Sequence, residues 1–600
     1  MRTQVRHDLW ILAALSLLTL VAMGRVVCCG FVSYDDPLYI VDNEYVRQGL
    51  SPESWTWAWS ADDRTGNWHP LTWLSLMLDV EMFGVRPLGH HAVNLLIHVL
   101  AVCGLYLALS QLTRWQLPSG WAAAAFAVHP VHVESVAWIS ERKDVLSGLF
   151  WMLGLIAYAR YTRAASSRGA ILWYLSVTVM YGLGLLSKPM MVTFPCVLLL
   201  FDAWPLGRIR IASAATADAT DNTISITPLP RSGILWCVVE KLPWFVLAAL
   251  MCVATIKSQG ASVISLDEVS RLDRLLHTPN AYVTYLSKTA WPTRLSVFYP
   301  RDGFRDSAVC GTLSLGLLLL ISVWCWNSRR LFPARLIGWL WFLGTLIPVI
   351  GIVQVGHQAI ADRYLYLPQI GLLMILAFGF QRIENSIPIA MSDQRRHAAL
   401  TRWIPVAGLV LIPIYVVLSY VQIGQWRNST RLYEHAIAVT RNNWQCHFNL
   451  GVVFSDAGQH REAIEQYQTV LRLRPSHPKV HNNLGVCLAA LGKYDEAIRI
   501  YRAGLSVHPQ HGGMRMNLGN VLARTGKFEA ALMEYVRARQ IAPDNLQVLY
   551  NLAQCQASAG HMSDAIQTAH YALERLSGTG MPQFRRQIQD QLTEWEHSEE

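Results

Sequence analysis

Charged side chains are scarce in this 600-residue sequence. They make up 15% of the residues, whereas hydrophobic residues make up 52%. An average soluble chain carries roughly 25% charged residues. This composition excludes a single soluble globule, and we expect the apolar excess to face lipid.

A concentrated basic surface is also missing, although the net charge is +9. No segment gathers lysine and arginine on one face, and almost all of the positive excess lies before residue 441, in the apolar part of the chain. Binding to nucleic acid needs a basic patch or stripe. We therefore predict no nucleic-acid partner.

The eleven cysteines form neither a zinc-ligand spacing nor a disulfide framework. Cys103, Cys196 and Cys237 lie inside apolar stretches, where a thiol behaves as a small hydrophobic group. The cysteines therefore indicate no structural metal centre and no disulfide scaffold.

Apolar runs of membrane-spanning length recur throughout residues 1–425. The first begins at Leu9, after the basic Arg2 and Arg6, and we interpret it as an uncleaved signal anchor. Further runs lie at 91–113, 119–137, 145–163, 170–187, 189–204, 236–256, 307–327, 334–352, 366–381 and 404–422. Their lengths predict a polytopic bundle of about eleven spans, in which 170–204 forms either two spans or one re-entrant hairpin.

Arginines in the short loops predict the orientation of this bundle. With a cytoplasmic N-terminus, alternation of the spans puts Arg114, Arg160 and Arg163 on the cytoplasmic side, as the positive-inside rule requires. The long loops 31–90 and 257–306 then lie outside the cytoplasm, as does everything beyond Tyr420. The sequence predicts a multi-pass protein of a bacterial inner membrane or of the endoplasmic reticulum.

A repeat of 34 residues begins beyond residue 440. Three sets of identical residues recur at this step: Leu450, Leu484 and Leu518; Gly451, Gly485 and Gly519; Pro475, Pro509 and Pro543. This is the signature of tetratricopeptide repeats (TPR), in which helix pairs stack into an α-solenoid. We predict a partial TPR helix at 426–443, four repeats over 444–579, and a capping helix and tail at 580–600.

The first outer loop opens with two adjacent carboxylates, Asp35 and Asp36. Two acids side by side at a membrane surface repel each other, which raises the pKa of one toward a value useful for a general base. Solvated loop acids are nevertheless common, so the pair alone is weak evidence for chemistry.

Histidines, carboxylates and cations crowd the region after residue 128. His129, His132 and Glu134 are followed by Arg142 and Lys143, and ionisable residues so close to membrane depth are candidates for function. The histidines and the glutamate have the chemistry of metal ligands, which leaves a divalent metal open as a cofactor. Arg142 and Lys143 suit a phosphate group better, although an interfacial ion pair with neighbouring acids would also explain them.

Two further positions carry cations that suit a phosphate group. Lys188 precedes a proline at the end of an apolar run, and Arg363 is followed by Tyr364. A guanidinium makes bidentate contacts to phosphate, and interfacial tyrosines can bound a groove. Together with the acidic pair, these residues are predicted to share one side of the membrane.

The motifs and the TPR array together resemble the transmembrane and tetratricopeptide-repeat O-mannosyltransferase family. The resemblance rests on Tyr34-Asp35-Asp36, on residues 129–138, on Arg142-Lys143-Asp144, on Asp362-Arg363-Tyr364 and on the repeats, and it covers nearly the whole chain. It implies a membrane bundle of the C-type glycosyltransferase (GT-C) superfamily and a polyprenyl-phosphate-linked sugar donor. It also implies transfer to an acceptor hydroxyl and an acidic motif in the first outer loop, which Asp35-Asp36 matches.

The leading hypothesis is an inverting glycosyltransferase that moves a mannose-like sugar to serine or threonine of a polypeptide held by the TPR array. Asp35 or Asp36 would be the base, Arg142, Lys143, Lys188 and Arg363 would bind the donor phosphate, and His129, His132, Glu134 and Tyr364 would line the pocket. The alternatives are a non-catalytic membrane-anchored TPR scaffold and a polysaccharide ligase or transporter that handles polyprenyl lipids.

Overall fold

A computed structural model of the chain describes residues 2–60, 66–209, 233–259, 271–301, 308–352, 356–386, 410–576 and 581–599. Within these ranges the regular structure is helical, apart from one isolated bridge between Pro300 and Gln358. Contacts divide the chain into two compact units, Met1–Arg441 and Asn442–Glu600. The predicted all-α fold is confirmed.

The first half of the N-terminal unit is a set of helices joined by short turns. They are α1 (Arg2–Met23), α2 (Glu44–Arg47), α3 (Pro52–Trp59), α4 (Pro70–Phe83), α5 (Pro87–Thr113), α6 (Gln116–Val128), α7 (Val133–Ala137), α8 (Arg142–Tyr161) and α9 (Ser167–Ser187). Helix α8 packs along both α5 and α9. It therefore lies at the centre of this half of the unit.

The second half of the unit continues with α10 (Phe194–Ala203), α11 (Ile234–Val239), α12 (Leu242–Gln259), α13 (Arg271–Ala290), α14 (Ala308–Asn327), α15 (Pro333–Leu346), α16 (Gln369–Ser386), α17 (410–423) and α18 (Ser429–Val439). Helices α15 and α16 cross at Gly338 and Gly371, where a Cβ on either glycine would lie 2.3 Å from the other's carbonyl oxygen. These two glycines let the backbones touch.

Four helical segments among the described residues are long and apolar enough to cross a membrane: Arg6–Cys28, Pro87–Thr113, Ser167–Ser187 and Ala308–Asn327. Shorter apolar helices lie at Pro189–Ala203, Leu242–Ser258 and Gln369–Gly379. Large apolar side chains remain exposed on these helices, as Leu17 and Leu320 do, which suits contact with lipid. The N-terminal unit is thus that of a membrane protein, whereas eleven spans and their orientation stay predictions.

Several predicted segments extend beyond the described residues. The span predicted at 404–422 begins outside them, and the two predicted outer loops include 61–65, 260–270 and 302–306, which also lie outside. The last predicted repeat and the predicted tail likewise include 577–580 and residue 600. These parts of the predictions stay predictions.

The continuous span predicted over 119–137 is interrupted. Helix α6 ends at Val128, and His129 adopts an extended conformation because it precedes Pro130, which disfavours the helical region for the residue before it. Two 3-10 turns and the short helix α7 then lead into α8. This irregular stretch brings polar side chains to the end of the helix bundle.

The segment 170–204, predicted as two spans or one re-entrant hairpin, forms two helices of unequal length. Helix α9 ends at Ser187, and a 3-10 turn at Pro189–Thr193 leads into α10. With ten residues, α10 is about 15 Å long, roughly half the thickness of a bilayer core. Lys188 stands at the junction, where it can reach the polar stretch between α6 and α8.

The C-terminal unit is a succession of helix pairs. The pairs are α19 (Trp444–Asp456) with α20 (His460–Leu473), α21 (Pro478–Ala490) with α22 (Tyr494–Val507), α23 (Gly512–Arg524) with α24 (Phe528–Ile541), and α25 (Leu546–Ser558) with α26 (Met562–Arg575); α27 (Pro582–Glu599) follows. The first helices of successive pairs contact one another. The predicted TPR solenoid is confirmed, with these first helices on its inner face.

The first three repeats each close on a glycine of their first helix. A Cβ at Gly485 would lie 2.4 Å from ring atoms of Tyr501, which is 1% exposed, and Gly451 and Gly519 stand in the same way against Tyr467 and Tyr535. The glycine thus makes room for the aromatic ring of the second helix. The same repeat spacing places a glycine with φ near +75° at the end of each first helix, as at Gly492, where a side chain would be strained.

We predict that Gly485→Ala destabilises its repeat by about 1–3 kcal/mol, because a methyl group would be forced into the buried ring of Tyr501. Hydrogen exchange measured on the full chain should speed up in α21 and α22. Gly513→Ala is the matched control, since its Cβ would meet nothing closer than 3.6 Å. Unchanged protection of α21 and α22 in Gly485→Ala would contradict this packing.

Candidate functional site

Four separate stretches of the N-terminal unit meet at one cluster of charged side chains. They are the loop after α1, the stretch 129–144, Lys188 after α9, and a 3-10 turn at Asp362–Leu365. We call the charged group the ion cluster: Glu134, Glu141, Lys143, Asp144, Lys188 and Arg363. It brings together residues up to 229 positions apart in the chain.

Glu141 is the centre of the ion cluster. Its carboxylate lies 3.2 Å from Nζ of Lys143, 3.4 Å from Nζ of Lys188 and 3.1 Å from Nε of Arg363, while its own side chain is 2% exposed. Burial raises the pKa of Glu141, but the three cations outweigh it and hold that pKa below its ordinary value. Glu141 is therefore ionised and fixes three cations around one point.

Two further buried acids, Glu134 and Asp144, hold cations of the ion cluster in place. Glu134 accepts a hydrogen bond from Nη1 of Arg363 at 2.5 Å and another from the backbone N–H of Arg363 at 3.1 Å. Asp144 pairs with Lys188 and accepts a hydrogen bond from the hydroxyl of Ser135 at 3.2 Å. The acids are buried, whereas Lys143, Lys188 and Arg363 are partly exposed. We call the surface at which these three cations lie the cleft.

Asp36 is enclosed and fully engaged. It has no exposed surface, and its carboxylate accepts hydrogen bonds from the backbone N–H of Val32 at 2.9 Å and from the N–H and hydroxyl of Ser140 at 3.0 and 2.5 Å. Burial raises the pKa of Asp36 to about 6 against these hydrogen bonds. The residue ties the loop after α1 to the turn before α8.

Asp35 differs from its neighbour. Its side chain is partly exposed and accepts no hydrogen bond from a residue that the structure describes. Burial raises the pKa of Asp35, and the charge of Glu141 raises it further. The charges of Lys143 and Arg363 lower this pKa, but the net effect is an increase. A carboxylate with free oxygens and a raised pKa beside two cations is suited to accept a proton.

Arg142 does not join the ion cluster, contrary to our expectation from sequence. It is buried without exposure, and its guanidinium donates to Asp79 at 2.5 Å, to Ser75 at 2.8 Å, to the carbonyl of His90 at 2.9 Å and to Asn94. Successive residues of a helix point about 100° apart. Lys143 therefore faces the cleft while Arg142 faces inward and clamps α4, α5 and α8 together.

The histidines are also turned away from the cleft. Nε2 of His129 lies 3.1 Å from the carbonyl of Thr289, and Nδ1 of His132 lies 2.8 Å from the carbonyl of Phe126. Both are buried among aromatic rings, and Glu134 is engaged by Arg363. The described residues contain no group of three or more histidine, cysteine, aspartate or glutamate side chains that could hold a metal ion, so these three residues do not fit a metal site.

Aromatic side chains frame the cations. The guanidinium carbon of Arg363 lies 5.1 Å from the ring centre of Tyr364 and 5.3 Å from that of Trp138. Nζ of Lys143 lies 4.9 Å from the ring centre of Tyr39. Stacking of this kind favours the charged form of a cation without using its hydrogen-bond donors.

Our sequence interpretation missed three residues of this region: Ser140, which holds Asp36, and Tyr39 and His69. His69 stacks on Tyr39, and its buried Nε2 has no hydrogen-bond partner among the described residues. Burial lowers the pKa of His69, as does Lys143, so its imidazole is neutral. Tyr39 and His69 lie in a loop rich in aromatic residues, and no motif or regular spacing distinguishes them in the sequence.

The structure thus defines a membrane protein with a cluster of charged side chains in its helical N-terminal unit and a TPR solenoid at its C-terminus. Family models described as tetratricopeptide repeat match residues 448–506, 488–545 and 522–575. Among solved structures, similar chains include that of MamA (19% identity, 25% of this chain and 87% of that one, TM-score 0.24) and that of YrrB (17% identity, 25% and 78%, TM-score 0.23).

The curated relatives of the chain are protein O-mannosyl-transferases. TMTC4 of Homo sapiens is 25% identical over 76% of this chain and 65% of its own length, and F38B6.6 of Caenorhabditis elegans is 24% identical over 76% and 61%. TMTC2 of Homo sapiens is 33% identical over 30% of this chain and 22% of its own length. The resemblance stated from the sequence is confirmed, and the chain spans less than two thirds of the length of these relatives.

We predict that Arg142→Met lowers the free energy of unfolding by about 3–5 kcal/mol, because it leaves the buried carboxylate of Asp79 without its cation. The thermal unfolding midpoint of the detergent-purified full chain measures this loss. Lys143→Met should cost less, since Glu141 keeps Lys188 and Arg363. Equal losses of stability in the two variants would contradict the assignment of Arg142 to helix packing and of Lys143 to the cleft.

Proposed function

We propose that this chain is an inverting GT-C glycosyltransferase that transfers a mannose-like sugar from a polyprenyl-phosphate-linked donor to serine or threonine hydroxyls of a polypeptide. The observation that carries the proposal is the partly exposed carboxylate of Asp35, which accepts no hydrogen bond from a described residue and whose charge interacts with those of Lys143 and Arg363. The names of the curated relatives support the same reaction.

In the proposed reaction, Asp35 removes the proton of the acceptor hydroxyl while the oxygen of that hydroxyl forms a bond to the anomeric carbon. The bond from that carbon to the phosphate oxygen breaks, and its electron pair leaves with the lipid phosphate. Attack from the side opposite the phosphate inverts the anomeric carbon. The base and the site of negative charge therefore have to stand on opposite sides of the sugar.

Lys143, Lys188 and Arg363 are the proposed ligands of the leaving phosphate. Hydrogen bonds from charged donors stabilise charge that develops as the bond breaks. Arg363 uses its Nε and Nη1 groups on Glu141 and Glu134, and no described residue takes the hydrogens of its Nη2. A preorganised guanidinium with open donors therefore needs little rearrangement to meet the donor phosphate.

We place the cleft on the extracytoplasmic side, together with the TPR domain. This follows from a cytoplasmic N-terminus and an odd number of spans. Exposed apolar side chains on the membrane helices leave a lipid path to the cleft for the polyprenyl chain. A scaffold without catalytic activity, the main alternative, has no use for an open carboxylate beside three converging cations.

The TPR array offers a row of carboxamides for the acceptor. Asn449, Asn483, Asn517 and Asn551 recur every 34 residues on the first helices and are all partly exposed. Neighbouring repeats are joined through such amides, since Asn517 donates to Asn482 at 2.9 Å and Asn551 to Asn520 at 2.8 Å. Side-chain amides both donate and accept hydrogen bonds, which suits an extended polypeptide backbone of any sequence.

We predict that Asp35→Asn lowers transfer roughly 10²–10⁴-fold, because an amide cannot accept the proton. Release of polyprenyl phosphate from polyprenyl-phosphate mannose by the purified full chain is the measurement. Asp42→Asn, an exposed acid of the same loop, is the control and should keep its activity. Wild-type turnover of Asp35→Asn would remove the proposed base and favour the scaffold.

We also predict a pH profile whose acidic limb lies above the ordinary range of an aspartate. Burial raises the pKa of Asp35, and the base works only when ionised, so kcat/KM falls as the pH drops through that raised pKa. Lys143→Gln should move the limb to higher pH, because Lys143 favours the ionised form. A limb that does not move in this variant would contradict the assignment.

We predict that Asn483→Ala with Asn517→Ala raises the KM for a polypeptide acceptor roughly tenfold, since each lost hydrogen bond contributes about 0.5–1.5 kcal/mol. Slow donor hydrolysis without acceptor should be unchanged, because the donor is held in the membrane unit. Gln468→Ala removes an exposed carboxamide from a second helix and is the matched control. An unchanged KM in the double variant would exclude the inner face as the acceptor site.

A further inference from the structure

A second polar region lies at the other end of α8. Helix α8 starts beside the ion cluster and ends at Tyr161, about 30 Å away for its twenty residues. A cavity of about 420 Å³ opens there, between the ends of α5 and α8 and the N-terminal parts of α1, α6 and α9. It is lined by Asp8, Ser110, Gln111, Arg114, Gln116, Arg160, Arg163 and Trp173, together with two alanines.

The lining of this cavity, which we call the arginine cavity, carries an excess of positive charge. Arg114, Arg160 and Arg163 stand against a single acid, Asp8. None of the three arginines forms an ion pair with an acid that the structure describes. Asp8 accepts hydrogen bonds from the hydroxyl of Tyr106 and from Nε2 of Gln116, so its charge is directed to other partners.

The arginines also keep hydrogen-bond donors open. Arg163 donates from Nη2 to the carbonyl of Leu112 at 3.1 Å, while its buried Nε has no hydrogen-bond partner among the described residues. The guanidinium carbon of Arg160 lies 4.7 Å from the ring centre of Trp173. Stacking holds the plane of a guanidinium and leaves its edge donors available.

The positive-inside rule, which predicts these arginines on the cytoplasmic side, and helix dipoles explain only part of this arrangement. Cations are favoured near the C-terminal ends of helices, and the bond from Arg163 to Leu112, in the last turn of α5, is an interaction of this kind. Such an effect places arginines on a surface, but it does not by itself line one cavity with three of them, of which Arg114 and Arg160 are exposed, without an ion-paired carboxylate among the described residues. An anion inside the cavity would balance the excess positive charge and accept hydrogen bonds from the open donors.

Large apolar residues flank the residues that line the cavity. Trp10 in α1, Leu117 in α6 and Leu172 in α9 are 68%, 81% and 65% exposed, and each is next to or near a lining residue in the chain. These helices include two of the segments that are apolar enough to span a membrane. The cavity therefore opens where a hydrocarbon chain could continue from an anionic head.

We propose that the arginine cavity is a binding site for a phosphate monoester group. Three convergent guanidinium groups match the several acceptor oxygens of phosphate better than they match a single carboxylate. The site is separate from the cleft of the proposed reaction and does not depend on it. A membrane lipid headgroup and free phosphate share this chemistry and differ in whether a hydrocarbon chain comes with it.

Native mass spectrometry of the full chain tests the proposal with three probes: phosphatidic acid, phosphatidylcholine and inorganic phosphate. We expect one molecule of phosphatidic acid to bind tightly, and phosphatidylcholine to bind at least tenfold more weakly. Inorganic phosphate at millimolar concentration distinguishes the sources. If it binds and displaces phosphatidic acid, the site takes free phosphate; if it does neither, the site takes the lipid headgroup.

The variant Arg160→Gln with Arg163→Gln should weaken binding of the phosphate probe at least tenfold. Arg168→Gln removes an exposed arginine of α9 that does not line the cavity and should bind as the wild type does. If the double variant does not fold, Arg160→Gln alone is measured, since its guanidinium only stacks on Trp173. Equal affinity in wild type and variant, or equal binding of phosphatidylcholine and phosphatidic acid, would overturn the proposal.

Discussion

A carboxylate buried away from water is stable only when cations or hydrogen-bond donors compensate its lost hydration, because its desolvation costs several kcal/mol. Glu141 meets this condition by drawing Lys143, Lys188 and Arg363 onto one point. These cations come from α8, from the end of α9 and from the turn that precedes α16. The charge of one side chain therefore fixes how three distant parts of the membrane unit approach each other, and the cleft exists because they do.

The same constraint separates residues with a structural task from residues that remain available. Asp36, Glu134 and Asp144 are buried and bonded, whereas Asp35, Lys143, Lys188 and Arg363 reach the cleft. The proposed reaction needs both kinds of residue. The buried acids hold the cations in place, and the partly exposed residues retain unfilled hydrogen-bonding capacity.

Composition and periodicity predicted much of this molecule. The 34-residue step was sufficient for the TPR array, because each repeat packs on its neighbours and has to reproduce the same contacts. Spacing could not separate Asp35 from Asp36, which are chemically identical, since the difference lies in the contact of Asp36 with Ser140, 104 residues away. Nor could it separate Arg142 from Lys143, because the face that each occupies depends on how α8 packs between α5 and α9.

The glycine–tyrosine closure of the solenoid has a consequence for how this part of the protein can change in length. Because Gly451, Gly485 and Gly519 each complete their contact within a single repeat, a unit of 34 residues can be inserted or removed without altering the fit of its neighbours. Each added unit would bring one more inner-face asparagine in register with the others. The number of repeats in the solenoid can thus vary while the spacing of the inner-face asparagines stays constant.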